Sequence, residues 1–93
     1  MALAEHRNEV KDIDEKIVRL IDQRLRLASK IFEAKKAEGK EIRDPGQEKI
    51  VLDRAMSLAA ELNLDAGAIR DIFQILIRMS LRRQQEIQGK DQR

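Results

Sequence analysis

The feature that most constrains this chain is a stretch of 36 residues, from Leu3 to Glu38, that contains neither glycine nor proline. Ten positions in it, spaced alternately three and four residues apart, form a heptad pattern, and eight of them are apolar. These positions are Leu3, His6, Val10, Ile13, Ile17, Leu20, Arg24, Leu27, Ile31 and Ala34. The pattern predicts a single amphipathic helix from about residue 3 to residue 38, ended by Gly39.

The length of this predicted helix does not fit a compact monomer. At the usual rise per residue the helix is about 54 Å long, whereas a globule of 93 residues is about 30 Å across. Much of the heptad stripe would therefore lie in water if the chain were alone. Because so small a domain is also only marginally stable by itself, we expect a second copy to lie against the helix.

A second helix is predicted after a short loop at residues 40–43. Asp44 is a typical N-cap and Pro45 suits the first helical position. The helix is expected to run from 45 to about 62, with Asn63 in the left-handed conformation after it. Its apolar stripe consists of Val51, Ala55, Leu58 and Leu62.

A third helix is predicted from 66 to 88, with Asp65 as its N-cap. Gly89 is expected to end it, which leaves residues 90–93 as a frayed tail. The stripe of this helix consists of Ile69, Phe73, Leu76, Ser80, Gln84 and Ile87. The whole chain, residues 1–93, is thus predicted to be a single all-α domain of three helices.

Composition excludes several classes of protein. Hydrophobic residues make up 42% of the chain and charged residues 39%, which is typical of a soluble, intracellular globular domain. The net charge of +2 gives no reason to expect nucleic acid as a partner, and no apolar run is long enough to span a membrane. With no cysteine and one histidine, His6, the sequence excludes a disulfide scaffold and predicts no metal site.

The informative residues are the polar ones on apolar stripes. Arg24 interrupts the heptad pattern, Ser80 and Gln84 interrupt the third helix, and Lys35 lies three turns beyond Arg24. Burying such groups without partners is costly, so each needs a protein or a ligand partner. One interpretation is structural, because a polar residue in a helical seam often fixes register and oligomeric state. The other is a ligand site, since Arg and Lys donors in an apolar bundle are suited to a small dianion.

A set of short segments in fixed order carries a family resemblance over about residues 3–88. They are Arg7, Ile13-Asp14-Glu15-Lys16-Ile17, Arg24, Ala34-Lys35, Arg43-Asp44-Pro45, Glu48, the stretch from Ile72 to Ser80, and Gln84. In this register the chain resembles the all-helical chorismate mutases, the AroQ class. The resemblance implies an intertwined helical-bundle homodimer in the cytoplasm that converts chorismate to prephenate for phenylalanine and tyrosine synthesis, with no cofactor.

The resemblance also implies roles for the donors. Arg24, with Arg7 from the partner chain, would bind the two carboxylates of chorismate, and Lys35 and Gln84 would hydrogen-bond its ether oxygen. Geometry agrees on one point, because Arg7 and Arg24 are about 25 Å apart along one helix. Two arginines so far apart cannot both bind one small ligand from the same chain.

The remaining implied contacts involve the start of the second helix and the third helix. Glu48 and the backbone at Asp44 would hold the ring hydroxyl, and Ser80 would assist near the ring carboxylate. Gln47 is also expected at the substrate, but many members of the family carry Arg there. This departure leaves an isochorismate pyruvate-lyase on the same scaffold open as an alternative. A second, non-enzymatic alternative is a helical dimerisation or regulatory module that has kept the fold and lost activity.

Overall fold

The structure is a computed structural model that describes the backbone of residues 1–91 and the side chains of residues 1–89. It contains three helices, α1 (Ala2–Ala37), α2 (Pro45–Glu61) and α3 (Ala66–Asp91). No strand occurs within this described part of the chain. The predicted all-α fold is therefore confirmed.

The end of α1 is a Schellman motif built around Gly39. This glycine has a φ of 70°, in the left-handed region that favours a residue without a Cβ. Its N–H donates to the carbonyl of Lys36 at 3.2 Å, and the N–H of Lys40 donates to the carbonyl of Lys35 at 2.8 Å. The prediction that Gly39 ends the first helix is confirmed.

The start of α2 is capped as its sequence predicts. Asp44 is the N-cap, and its Oδ1 accepts a hydrogen bond of 3.1 Å from the backbone N–H of Gln47. Pro45 occupies the first helical position, where its missing N–H leaves no hydrogen bond unmade. These contacts fix the direction in which α2 leaves the loop that follows α1.

The turn between α2 and α3 also follows the sequence signals. Asn63 has a φ of 57°, and the N–H of Leu64 donates to the carbonyl of Ala59 at 2.8 Å. Asp65 then caps α3, because its Oδ1 accepts from the backbone N–H of Ala68 at 3.1 Å. Since the turn is this short, α2 and α3 form a helical hairpin.

The predicted end of the third helix at Gly89 is wrong, because α3 continues through this residue to Asp91. A glycine inside an exposed helix costs only about 1 kcal/mol relative to alanine. Gly89 does not have a positive φ, unlike Gly39, so it makes no left-handed turn. Of the tail predicted at residues 90–93, Lys90 and Asp91 are helical, and Gln92 and Arg93 lie outside the described residues.

The three helices form an elongated body in which α3 is central. α3 packs against both α1 and α2, whereas the Cα atoms of α1 and α2 do not come within 8 Å of each other in the described structure. The molecule measures 56 × 28 × 16 Å and has a radius of gyration of 16.7 Å. A compact chain of this length would have a radius of about 12 Å.

Within α1, the buried residues are confined to the part that faces α3. Ala28 and Phe32 are the buried residues of α1, and they lie beside the heptad stripe rather than on it. The expected stripe is mostly uncovered within one chain, because the first half of α1 extends past the other helices. Its exposed apolar residues are Leu3, Val10, Ile13, Ile17, Leu20, Leu27 and Ile31.

The other two helices differ in how well their stripes were predicted. In α2 the buried residues are Ala55 and Ala59, while Leu58 and Leu62, both expected on the buried face, are 54% and 60% exposed. In α3 every position of the predicted stripe is buried or half-buried. Within the described residues, no helix combines the length and apolarity needed to cross a bilayer.

Candidate active site

The gap between α1 and α2 forms a cavity of about 310 Å³. α1 and α2 supply two of its walls, α3 supplies the third, and the loop after α1 borders it at Ile42. Apolar side chains line much of the cavity: Leu27, Ala28, Ile31, Ile42, Val51, Ile77 and Leu81. Its volume is at the low end of the range for small-molecule sites.

Arg24 reaches the cavity from α1 and is held by α3. Its Nη1 donates to the Oγ of Ser80 at 2.9 Å and to the carbonyl of Leu76 at 3.4 Å. The Ser80 hydroxyl in turn donates to the same carbonyl at 3.1 Å, which orients its oxygen as an acceptor for Arg24. The guanidinium is thus anchored through one nitrogen, and its other N–H donors remain for a ligand.

The charge of Arg24 is partly desolvated. Burial lowers the pKa of its guanidinium, and the nearby charge of Arg54 lowers it further. Arginine stays protonated in proteins, so the result is a cation with reduced hydration rather than a neutral group. A partly desolvated cation interacts with an anion more strongly than one in bulk water.

Lys35 lies three turns farther along α1 and is half-buried at the same cavity. Its Nζ donates to the carbonyl of Ile42 at 2.7 Å, which links the end of α1 to the loop before α2. An ammonium group has three N–H donors, so two remain after this bond. Lys35 is therefore both fixed in place and able to donate into the cavity.

Gln84 is the most buried polar residue of the cavity, at 5% exposed. Its Oε1 is fully buried and has no hydrogen-bond partner in the described structure. Leaving a buried amide oxygen without a partner is unfavourable and uncommon in native proteins. Gln84 is thus a buried polar group in an apolar wall whose amide oxygen the described contacts do not satisfy.

A second group of polar residues comes from the start of α2. Glu48 is half-buried at the cavity, and its Oε2 accepts from the Nε of Arg43 at a long distance of 3.4 Å. The backbone N–H of Glu48 donates to the carbonyl of Asp44 at 3.0 Å. Asp44 and Gln47 also line the cavity from this turn.

Seven of the eight residues predicted from the sequence therefore line one cavity. They are Arg24, Lys35, Asp44, Gln47, Glu48, Ser80 and Gln84. Arg7 does not reach it, since it lies in a shallow groove along the first half of α1 with Val10, Asp14 and Arg19. The structure of one chain thus places Arg7 apart from the other seven residues.

Arg54 is a cavity residue that the sequence analysis missed. A signal for it was present, because Gln47, Val51 and Arg54 are spaced four and three residues apart and so share one face of α2.

The described residues contain no cluster of histidine and carboxylate groups that would hold a metal ion. The arrangement is suited to binding a small dianion directly through side-chain donors.

Comparison with known proteins gives a family match and several relatives. The family model of type II chorismate mutase matches residues 6–85. A chorismate mutase from Methanocaldococcus jannaschii is 44% identical over 75 residues, which are 81% of this chain and 76% of that protein. A bifunctional chorismate mutase/prephenate dehydratase from Buchnera aphidicola is 34% identical over 95% of this chain, and the one from Escherichia coli is 32% identical over 87%.

The bifunctional relatives are much longer than this chain. The match covers 23% of the Buchnera protein and 21% of the Escherichia coli protein. The similarity therefore concerns one part of each bifunctional protein, whereas it extends over about three quarters of the Methanocaldococcus jannaschii protein.

Proposed function

This chain belongs to the type II chorismate mutase family, and we propose that it rearranges chorismate to prephenate in the cavity between α1 and α2. It is thus an isomerase with a place in the synthesis of phenylalanine and tyrosine. The observation that carries the proposal is that Arg24, Lys35 and Gln84 meet at one apolar cavity. A substrate with two carboxylates and a breaking ether bond requires donors of these kinds in such a place.

The reaction needs no nucleophile from the protein. In this rearrangement the ether C–O bond breaks while a new C–C bond forms within the same molecule. No group is transferred to the enzyme, and no proton has to be moved. Catalysis then consists of holding the compact conformer in which the enolpyruvyl arm lies over the ring, and of stabilising charge as it develops.

Binding of the compact conformer is assigned to the arginines. Arg24 is anchored by Ser80 and Leu76, so its guanidinium presents the remaining N–H groups in a fixed direction. The partner subunit's Arg7 is proposed to bind the other carboxylate. Holding both carboxylates restricts the substrate to the reactive geometry and removes much of the entropic part of the barrier.

Stabilisation of the developing charge is assigned to Lys35 and Gln84. Negative charge grows on the ether oxygen as the C–O bond breaks, and donors already in place stabilise it without reorganising. Lys35 has N–H groups that its bond to Ile42 leaves unused. Gln84 can donate from its amide nitrogen, and its buried position excludes water from competing for the oxygen.

The start of α2 is proposed to hold the ring. Glu48 and the backbone at Asp44 would hydrogen-bond the ring hydroxyl, which the capped turn supports by fixing both groups. Ser80 would act near the ring carboxylate through its hydrogen bond from Arg24. Gln47 would contact the substrate from the same turn without contributing a charge.

We also propose that the protein is a homodimer with sites shared between chains. The single chain exposes 7761 Å², whereas a compact monomer of 10.8 kDa would expose about 5,500 Å². The excess of about 2,200 Å² per chain is larger than one partner's share of a standard interface, about 800 Å². The exposed apolar stripe of α1 is the surface that a second copy would cover.

The direct test is to incubate the purified chain with chorismate, follow the loss of the diene absorbance, and identify the product by mass and chromatography. Formation of prephenate by the chain is the expected result. Release of pyruvate with an aromatic acid would indicate lyase chemistry, and isochorismate would then be tested. A folded protein that leaves chorismate unchanged would overturn the proposal in favour of a non-catalytic module.

A further inference from the structure

Arg54 lines the cavity from α2, while Arg24 lines it from α1. Two guanidinium groups from different helices therefore face one cavity whose walls are largely apolar. Arg54 is exposed to solvent in the single chain. The cavity residues from α2 and its N-cap are Asp44, Gln47, Glu48, Val51 and Arg54, and among these described residues Arg54 is the one cation.

Neither arginine has an acidic residue three or four positions away on its own helix. The residues three and four positions away from Arg54 are Ile50, Val51, Ser57 and Leu58, and those around Arg24 are Leu20, Ile21, Leu27 and Ala28. A helical ion pair needs an acidic residue at one of these spacings. Both guanidiniums are therefore left without a carboxylate partner along the helix.

The nearby carboxylates are engaged elsewhere. Asp53, next to Arg54, accepts a 2.8 Å bond from Lys49. Asp44 caps α2, and Glu48 is paired with Arg43. No ion pair joins any of these acids to Arg24 or Arg54 in the described part of the chain.

Two cations facing the same cavity repel each other in the free protein. This repulsion acts on Arg24. Burial lowers the pKa of its guanidinium, and the charge of Arg54 lowers that pKa further. An anion placed between two such groups reverses the sign of the interaction, since each cation then faces a negative charge. Guanidinium groups are also the preferred partners of carboxylates because they can donate two parallel hydrogen bonds.

We infer that Arg54 is a further substrate-binding residue, which binds a carboxylate of the substrate from the α2 wall together with Arg24 from α1. The inference rests on the proposed function, since it takes the ligand to be the dicarboxylate that the family rearranges. It assigns to α2 a cationic contact made within the same chain, in addition to the arginine expected from the partner chain.

The test compares Arg54→Gln and Arg54→Lys with Arg70→Gln. Arg70 is a matched control, because it is an exposed arginine that lines a different groove between α2 and α3. Two quantities are measured for each protein: the dissociation constant of prephenate, by titration calorimetry, and kcat/KM for chorismate. Prephenate serves as the binding probe because it keeps both carboxylates of the substrate.

Loss of a hydrogen bond to a charged group predicts that Arg54→Gln weakens prephenate binding and lowers kcat/KM by about ten- to a hundredfold. Arg54→Lys should recover part of the loss, and Arg70→Gln should behave as the wild type. The thermal midpoint of Arg54→Gln should be unchanged or raised, because the variant removes a repulsion. A residue that merely supported the fold would lower the midpoint instead.

The outcomes separate this inference from the proposed function. If the wild type turns over chorismate and Arg54→Gln stays within about twofold of it in both quantities, the role of Arg54 is refuted while the mutase assignment stands. If the wild type binds prephenate without turning over chorismate, the mutase assignment fails and the binding loss in Arg54→Gln still decides the inference. A wild type that neither binds nor reacts would overturn both.

Discussion

The two halves of α1 share one pattern of apolar residues but have opposite surroundings. Residues 2–20 are exposed without exception, although they include Leu3, Val10, Ile13 and Ile17. Residues 21–37 contain the buried side chains of the helix, Ala28 and Phe32, together with Arg24 and Lys35 at the cavity. The second half is covered by α3, whereas none of the residues that the structure describes covers the first half.

This contrast teaches that the heptad stripe and the buried face of α1 are different surfaces. In the second half Ala28 and Phe32 pack inside the chain beside the stripe, whereas Arg24, Leu27 and Ile31 of the stripe itself line the cavity. A helix with apolar residues all round its middle part is typical of one that packs against two neighbours. We attribute the first neighbour to α3 and the second to the partner chain proposed above.

The largest expected effect concerns the second half of α1, where Lys35 lies at the cavity. Lys35→Ala should lower kcat for chorismate by at least a hundredfold, because a donor to developing charge contributes about 3–4 kcal/mol to transition-state stabilisation. Steady-state kinetics with purified protein measures it. Lys30→Ala, an exposed lysine of the same helix outside the cavity, is the control. Near-normal turnover in Lys35→Ala, or a loss explained by unfolding in circular dichroism, would contradict the assigned role.

The next largest effect concerns the first half of α1, whose apolar side chains are exposed. Ile17 lies on the exposed stripe, and Ile17→Glu should weaken the dimer by about a hundredfold or more. Burying one isoleucine contributes at least about 1.5 kcal/mol, and a symmetric dimer contains the substitution twice. Sedimentation equilibrium measures the dissociation constant. Arg19→Glu, on the opposite face of the same turn, should leave it unchanged, and a monomeric wild type would refute the proposal.

A third prediction concerns the pH dependence of activity and tests the role of Gln84, which lines the same cavity as the second half of α1. Gln84→Glu should be active at low pH and lose activity as the pH rises, because a carboxylate can accept a hydrogen bond but cannot donate one to the ether oxygen. Above the pKa of the new carboxyl the activity should fall by about tenfold per pH unit. The wild-type amide does not titrate, so the wild type supplies the control profile. A flat profile for the variant would exclude this role for Gln84.

The smallest expected effect tests whether Arg7 of one chain and Lys35 of the other chain belong to the same active site. Arg7→Ala and Lys35→Ala should each be nearly inactive alone. Co-refolded in equal amounts, they should regain about a quarter of wild-type activity, because half of the dimers are mixed and each mixed dimer has one intact site. Activity of the mixture is compared with the average of the two separate variants. No recovery in a mixture shown to contain mixed dimers would exclude shared sites.

Much of the fold was predictable because it depends on local chemistry. Asp44 and Asp65 cap their helices, and Gly39 and Asn63 adopt the left-handed conformation, as their residue types favour. These contacts involve residues a few positions apart, so the sequence alone contains the information. Gly89 is the exception, since a glycine signals a helix end only if the chain needs to turn there.

Part of the site was predictable for a related reason. A polar residue on an apolar stripe is conspicuous in the sequence, and this drew attention to Arg24, Ser80 and Gln84. Arg54 was missed because it does not interrupt an apolar stripe, and an arginine on an exposed helix face is ordinary. It became notable only when the cavity was seen to bring it to the same space as Arg24.

The sequence by itself determined where the helices lie, which face of α3 is covered, and which polar groups need partners. Only the tertiary structure decided that α1 and α2 stay apart on α3, that the gap between them is the cavity, and that Leu58 and Leu62 are left exposed. The physical reason is that helical periodicity relates residues within a helix, whereas the choice of neighbour depends on how whole surfaces pack. That choice involves residues far apart in the chain, such as Arg24 and Ser80, and no local pattern encodes it.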